Sequence, residues 1–363
     1  MKRLSKFSGI VASLFLILFF VALGASPVMA ADVCDKKPEL PKCSDPDPDP
    51  GEEPTLAIPA FAYYCKSNPN VGGICLANDD GSVPIKIFST EKFHGDRFEI
   101  SAVQVGVSGS VLVEDYGALS QIDYTVTSEG LLDTVSSPIS LTTGVGDVDW
   151  NPVGSDFSFH DHYGVYLGSR AALASDERGA PIVQSPISPW IGEITEVLRS
   201  LSWSYDGTSI YFIKGYIVSD GPWWDEVHKA DVHDYLSNGT QTTTTCLLAS
   251  REAPYSDRDY CAVIDENLSR LSKVSDHQNG LMVAATGLDL AGDPEEEINF
   301  IYILDDFGVS EIIPTPGFLG FDWTVDGQII SQTDDDEIIV YDHVSGEVRM
   351  LLNKNATSPD WSN

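Results

Sequence analysis

From residue 55 onward the chain alternates short apolar runs, rich in β-branched and aromatic residues, with clusters of Gly, Asp, Asn and Pro, and no helical period is sustained. Runs such as Ile210-Tyr211-Phe212-Ile213 and Ile338-Ile339-Val340-Tyr341 have strand length, and the punctuation between them is turn chemistry. The pattern predicts an all-β domain, a sandwich, barrel or propeller, in preference to an α/β fold. Upstream the texture differs twice. Residues 31–54 have almost no apolar periodicity, and residues 7–31 carry no charge at all.

Two units recur along the β-rich part. The first is an aromatic residue, a turn and an apolar strand: Asp149-Trp150-Asn151-Pro152-Val153-Gly154, Ser202-Trp203-Ser204-Tyr205-Asp206-Gly207 and Asp322-Trp323-Thr324-Val325-Asp326-Gly327, each running on into a strand. The chain ends on a fourth copy, Pro359-Asp360-Trp361-Ser362-Asn363. Asp-Gly supplies a tight turn with positive φ, and the strand after it supplies one buried face. The second unit is a strand ending in an acidic turn, as at Asn78-Asp79-Asp80-Gly81, Asp305-Asp306-Phe307-Gly308 and Asp342-His343-Val344-Ser345-Gly346. Two units in series make a four-stranded blade.

These residues resemble the repeat of the TolB-like six-bladed propellers, Trp-Ser-Pro-Asp-Gly, strand, strand, Asp-Gly turn, strand. The match is best at Trp203, Trp323, Trp361 and residues 78–82, loose at Trp150, and weak over residues 105–142 and 252–292. The resemblance implies an all-β, six-bladed β-propeller over residues 55–363, with four-stranded antiparallel blades at about 55–90, 97–143, 144–187, 196–250, 268–314 and 317–352. Trp150, Trp203, Asp206, Gly207, Trp323, Asp326, Gly327 and Trp361 are then repeat-motif residues. The last segment, residues 357–363, is a first strand with no strands after it, and the chain begins with the complementary pieces. Pairing of the N- and C-terminal strands is expected to close the ring and remove two open edges. Two stacked β-sandwiches are the alternative, and they leave the terminal Trp361 motif unexplained.

The N-terminus changes the compartment. Lys2, Arg3 and Lys6 precede an apolar stretch centred on residues 14–23, followed by Gly24, Pro27 and small residues at Val28 and Ala30. This is the layout of a signal peptide, residues 1–30, cleaved to leave Ala31 as the new terminus; an uncleaved anchor is the alternative. Asp32, two residues before Cys34, argues against a lipid anchor. Residues 31–54 include alternating Asp and Pro at 45–50 and read as a disordered acidic tether.

The chain carries 55 acidic against 21 basic residues, a formal charge of −34. Loss of three basic residues with the leader makes it −37. Nucleic acid and anionic lipid surfaces are repelled, so neither is an expected partner. The six cysteines fall into local couples, Cys34 with Cys43, Cys65 with Cys75 and Cys246 with Cys261, and an even number in an exported chain reads as disulfides.

Candidate chemistry is sparse. His160 and His162, two apart after a strand, form a candidate pair of metal ligands, with a polar turn as the plainer reading. His228 and His233 are a weaker pair. The acidic turns at Asp79-Asp80, Asp305-Asp306 and Asp334-Asp335-Asp336 suit weak calcium binding but lack EF-hand spacing, and no cofactor is predicted. No Gly-x-Ser-x-Gly elbow, H-E-x-x-H pair or Gly-rich phosphate loop occurs. Trp223 and Trp224, after the Gly221-Pro222 turn, are the candidate binding surface, for a sugar ring or a protein, with at most one of the two fully buried; the alternative is that they cover the insertion that follows.

The reading is a periplasmic or secreted, monomeric propeller, without a transmembrane segment once processed. It serves as a binding module in the cell envelope, for an envelope or extracellular protein or a glycan, rather than as an enzyme. The alternative is a propeller hydrolase or lyase of glycans with its site at the channel mouth. The segment before residue 55 is too short for the additional N-terminal domain that TolB carries, so TolB's own partners are not carried over.

Overall fold

A computed structural model describes residues 60–68, 71–82, 84–90, 98–127, 131–153, 156–169, 179–184, 194–218, 224–238, 241–250, 261–263, 268–288, 297–305, 308–314, 320–333, 335–353 and 356–361. The expected leader, the acidic tether and the Cys34/Cys43 couple lie outside them.

Short strands joined by tight turns build six antiparallel sheets in chain order. The first contains β1 (Phe61–Asn68), β2 (Val71–Ala77) and β3 (Ile85–Thr90). Blade 2 contains β4 (Phe98–Val105), β5 (Ser108–Asp115), β6 (Ala118–Val126) and β7 (Leu132–Val135), with β8 (Ile139–Thr143) also paired to β6. Blade 3 is the smallest: β9 (Val148–Trp150), β10 (Phe157–Asp161), β11 (Gly164–Gly168) and β12 (Val183–Gln184). Blade 4 contains β13 (Ile194–Trp203), β14 (Ser209–Val218), β15 (Trp224–Asp231) and β16 (Thr244–Ala249), edged by β17 (Ala262–Val263) in parallel. A short helix of seven residues, α1 (Val232–Asn238), follows β15. Blade 5 is β18 (Leu268–His277), β19 (Gly280–Leu288), β20 (Glu297–Asp305) and β21 (Gly308–Pro314), and blade 6 is β22 (Phe321–Trp323), β23 (Ile329–Gln332), β24 (Ile338–Asp342) and β25 (Glu347–Leu352).

The last strand, β26 (Ala356–Trp361), pairs antiparallel with β1, Phe61 opposite Trp361 and Cys65 opposite Ala356. It completes the first blade, so the molecule is a six-bladed β-propeller whose ring is closed by its two ends. The Trp361 ring stacks on Phe61 with centroids 5.6 Å apart and joins an apolar cluster with Ile330, Ile338 and Val340 of blade 6. Equivalent clusters fill the other interfaces. Trp150 packs with Leu112, Leu119 and Phe157, and Trp323 with Met282, Ile301 and Ile329.

The repeat turns have a local cause. Gly207 and Gly327 adopt φ of 68° and 76° and donate their N–H to the carbonyls of Ser204 and Thr324, closing turns that an L side chain resists. Asp206 Oδ1 accepts from the Ser204 and Thr208 hydroxyls and from Thr208 N, which fixes the turn and holds its carboxyl below the usual range.

Two disulfides are present among the described residues. Cys65 to Cys75 crosses the β1/β2 hairpin, and Cys246 to Cys261 ties the residue just before β17 to β16. Among the described residues no helix is long and apolar enough to cross a membrane.

Candidate functional site

The innermost strands, β26, β4, β9, β13, β18 and β22, surround the ring axis, and the space between them is a cavity of about 280 Å³. Its wall is strongly charged: Glu99, Asp147, Asp149, Asp276, Asp322 and Asp360 face it together with His160, Arg199 and Lys273. In the sequence these residues are scattered over more than 260 positions. Ring closure alone brings them together.

Most of the carboxylates lock blades to one another. The residue before each repeat Trp points across to the next blade and accepts its backbone N–H. Asp360 Oδ2 accepts from Ala102 N at 2.7 Å, Asp149 Oδ2 from Trp203 N at 2.7 Å and Asp322 Oδ2 from Trp361 N at 2.8 Å. Serine takes the same place in other blades, where Ser101 Oγ accepts from Trp150 N at 3.0 Å and Ser202 Oγ from Asp276 N at 3.2 Å. Between blades 5 and 6 the Ser275 hydroxyl donates to Asp322. Asp147 accepts from Ser200 N, and Asp225 both pairs with Arg199 and accepts from Leu271 N. The Asp or Ser at this place, followed by Trp in blades 1, 3, 4 and 6 and by Ala102 and Asp276 in blades 2 and 5, is thus one position of a hydrogen-bonded girdle around the axis. Asp149 is buried deeply enough that desolvation lifts its carboxyl to about 7 despite these bonds, and Asp322 and Asp360 are raised for the same first reason.

Two charges are not used in this way. Among the described residues neither the Glu99 carboxyl nor the Lys273 ammonium has a hydrogen bond or a direct ion pair, although each feels the other's field. Burial first, then repulsion by Asp147, lifts Glu99 to about 7, while Lys273 pulls it back. Lys273 suffers the same desolvation, but the surrounding Glu99, Asp322, Asp360 and Asp147 outweigh it and hold the amine protonated. Lys273 follows a register shift between Leu271 and Lys273 in β18, and opposite it Ser200 sits at φ 45° in a second shift in β13. Such bulges turn side chains that strict alternation would place elsewhere.

Glu114, opposite Glu99 on β5 and outside the cavity's lining, accepts from Gly117 N and is also raised by burial to about 7. His160 lies over Gly146, where a β-carbon would meet its ring, with Nε2 3.7 Å from Asp147 Oδ2. Burial opposes protonation of His160, but the Asp147 carboxylate overcomes it and raises the imidazole, and Asp147 is lowered in return.

The residues singled out in the sequence distribute unevenly. His160 lines the channel. His162 lies one residue past the end of β10, exposed, its ring 3.6 Å from that of Tyr163. The strand stops at Asp161 because its Oδ1 accepts from Tyr163 N and Gly164 N and closes the turn. Both histidines border one shallow pocket, but no third ligand group stands with them among the described residues. Among the described residues the one trio within metal-binding reach is Glu226 with Cys246 and Cys261, whose sulfurs are bonded to each other. His228 is buried and its Nε2 lies 2.8 Å from Glu226, whereas His233 is exposed on α1. Of the acidic turns, Asp80 accepts from Ser82 N and Asp336 pairs with Lys66 at 2.7 Å, while Asp306 and Asp334 lie outside the described residues.

The tryptophan pair needs a correction. Trp224 is not in a loop; it opens β15 opposite Tyr216, is 4% exposed, and stacks on that ring at 4.8 Å. It offers no surface to a ligand. Trp223 lies outside the described residues. Glu99 and Lys273 went unnoticed in the sequence because no local motif marks them.

The sequence matches no protein-family model and no curated protein. Solved structures similar to this chain include a protein from Lactobacillus plantarum (14% identity, covering 85% of this chain and 86% of that one, TM-score 0.42). Apo AztD from Citrobacter koseri is similar at 11% identity, covering 83% of each chain, with a TM-score of 0.41. An oligogalacturonate lyase in complex with manganese is similar at 12% identity, covering 71% of this chain and 85% of that one, with a TM-score of 0.35. Likeness at this level assigns neither a family nor an activity.

Proposed function

We propose that this chain is an exported, TolB-like binding propeller that takes a small, positively charged solute at the mouth of its central channel. The observation that carries the reading is that Glu99 and Lys273 face the cavity without a hydrogen bond or direct ion pair to any described residue. Its volume, about 280 Å³, is just below the roughly 300–1,000 Å³ of ligand pockets, which favours a small molecule over a polymer chain. Its wall holds six carboxyl groups against Lys273, Arg199 and His160, of which Arg199 is spent on Asp225 and His160 on Asp147. A cation is attracted there and a uronate is repelled. Glu99 is the group that receives the ligand's cation, and Lys273 tempers the field and fixes the partner's orientation. The signal-like leader and the disulfides support export to the periplasm or the medium.

A second reading, acid–base catalysis at the same mouth, draws on Glu99, held near neutrality. Calorimetric titration of the chain from residue 31 with putrescine, L-lysine, glucose and galacturonate tests the proposal. One of the amines is expected to bind, and Glu99→Gln to weaken it about tenfold, the size of one charge-assisted hydrogen bond. Tighter binding of galacturonate than of the amines, or amine binding untouched by Glu99→Gln, counts against it.

A further inference from the structure

The outer strands of blade 4 gather four side chains of metal-ligand type. Glu226 and His228 are two apart on β15 and project from one side of it, and Cys246, directly opposite His228 on β16, shares that side. Cys261, the residue before β17, is held to Cys246 by the disulfide. A Glu226 carboxylate oxygen and the two sulfurs lie within 4.8 Å of one another, and His228 Nε2 lies 2.8 Å from Glu226 Oε2. The Tyr216 hydroxyl donates to the same Oε2 at 3.2 Å, while Lys214, opposite Glu226 on β14, pairs with Glu196 at 3.4 Å.

Glu226 and His228 are buried, at 2% and 4% exposure, whereas Cys246 and Cys261 are half-buried and open to reagents. Buried ionisable groups are costly unless they are paired or bound to a metal. The closed disulfide offers this pair no charge, but the two thiols that reduction releases become metal ligands once deprotonated. Zinc binds thiolate at about 2.3 Å and imidazole or carboxylate at about 2.0–2.2 Å, so four ligands around one ion stand roughly 3–4 Å apart. The cluster is already near that spacing, and the bond that stands in the way is the one between the sulfurs.

We propose that reduced Cys246 and Cys261 join Glu226 and His228 in a redox-gated site for one zinc ion. A dithiol reduces the protein disulfide to two thiols and is itself oxidised to a disulfide. Zinc then displaces one proton from each thiol, and the neutral His228 imidazole and the Glu226 carboxylate complete a tetrahedron. The ion keeps its oxidation state throughout. With the disulfide closed, as an oxidising compartment favours, the sulfurs do not ligate and the metal is excluded. The site lies on the outer strands, apart from the channel, and does not rest on the function proposed above.

The chain from residue 31, reduced with dithiothreitol, desalted without air and titrated with Co²⁺ as a spectroscopic stand-in for Zn²⁺, provides the test. One cobalt ion per chain is expected to give a thiolate-to-cobalt charge-transfer band and the visible bands of a tetrahedral ion, and added Zn²⁺ to erase both. The oxidised chain is expected to show neither. Glu226→Gln and His228→Ala should each weaken binding by more than about tenfold, the least that even an outer partner of a metal ligand is worth. Cys261→Ser is expected to abolish the charge-transfer band, and joint replacement of Cys34 and Cys43 by Ser to leave it. A reduced chain that binds no cobalt, or bands unchanged in Cys261→Ser, overturns the proposal. Cys261 is half-buried, so its replacement decides even where the Glu226 and His228 variants fail to fold.

Discussion

A chain ending before Ala356 is expected to lose several kcal/mol of stability, with Trp361→Ala alone costing about 3–5 kcal/mol as a large-to-small change in a packed core. The strand β26 supplies the inner edge of the first blade, and its removal strips the hydrogen-bonding edge of β1 from Phe61 to Cys65. It also empties the site between Phe61 and the blade 6 residues Ile330 and Val340. Two links of the girdle go with it, Asp360 to Ala102 N and Trp361 N to Asp322. Trp361→Ala keeps those backbone bonds and reports the packing alone, so the truncation should exceed it. Equilibrium urea denaturation checks both, and an unchanged midpoint in the truncated chain would refute closure by this strand.

Lys273→Met is expected to destabilise the protein by about 3–5 kcal/mol at pH 8, the cost of removing one partner from buried charges, and by much less at pH 5. Lys273 stands among Glu99, Asp322, Asp360 and Asp147, and without it these carboxylates repel one another with no cation between them. The pH dependence follows from the direction of the shifts. Glu99 and Asp149, held near 7, bind protons in the folded state that the unfolded chain has already released above about 4, so stability falls as pH rises from about 4 to 7. His160, raised by Asp147, stabilises below its unfolded value of about 6.5 and loses that contribution as pH rises through its folded value. Asp147 is lowered and acts in the opposite sense, but only as pH falls below about 4. The parent protein should therefore be more stable at pH 5 than at pH 8, and Lys273→Met should widen that gap. Denaturation midpoints at the two pH values measure it; an equal loss at both would show that Lys273 acts through packing and not through charge.

The architecture was readable because its signals are local. Trp203 with Asp206-Gly207 and Trp323 with Asp326-Gly327 each hold strand, turn and strand within a few residues, and the stray Trp361 motif at the chain's end announced that a strand had to return to the beginning. The girdle was half visible. The Asp or Ser before each aromatic is part of the repeat, but the N–H it accepts belongs to another blade, as for Asp149 and Trp203, 54 residues apart. Glu99 and Lys273 meet only when the ring closes, and two charged residues on separate strands carry no spacing to read. Trp224 misled because Gly221-Pro222 before it is a turn signal, yet the strand resumes at once and Tyr216 opposite supplies an aromatic partner. The His160/His162 pair assumed a strand running on through both, and the Asp161 carboxylate ends it between them.

The channel's carboxyl groups divide into those that lock the blades and Glu99, left for a ligand, and paired urea denaturation of Asp322→Ala and Glu99→Gln at pH 8 tests that division most directly. Asp322 accepts from Trp323 N, Trp361 N and the Ser275 hydroxyl, so Asp322→Ala orphans donors in a buried place and is predicted to cost about 3 kcal/mol. Glu99→Gln removes a carboxyl that burial already disfavours and that bonds to no described residue, and is predicted to leave stability unchanged or slightly raised. A Glu99→Gln protein as unstable as Asp322→Ala would make Glu99 another structural lock and contradict the division.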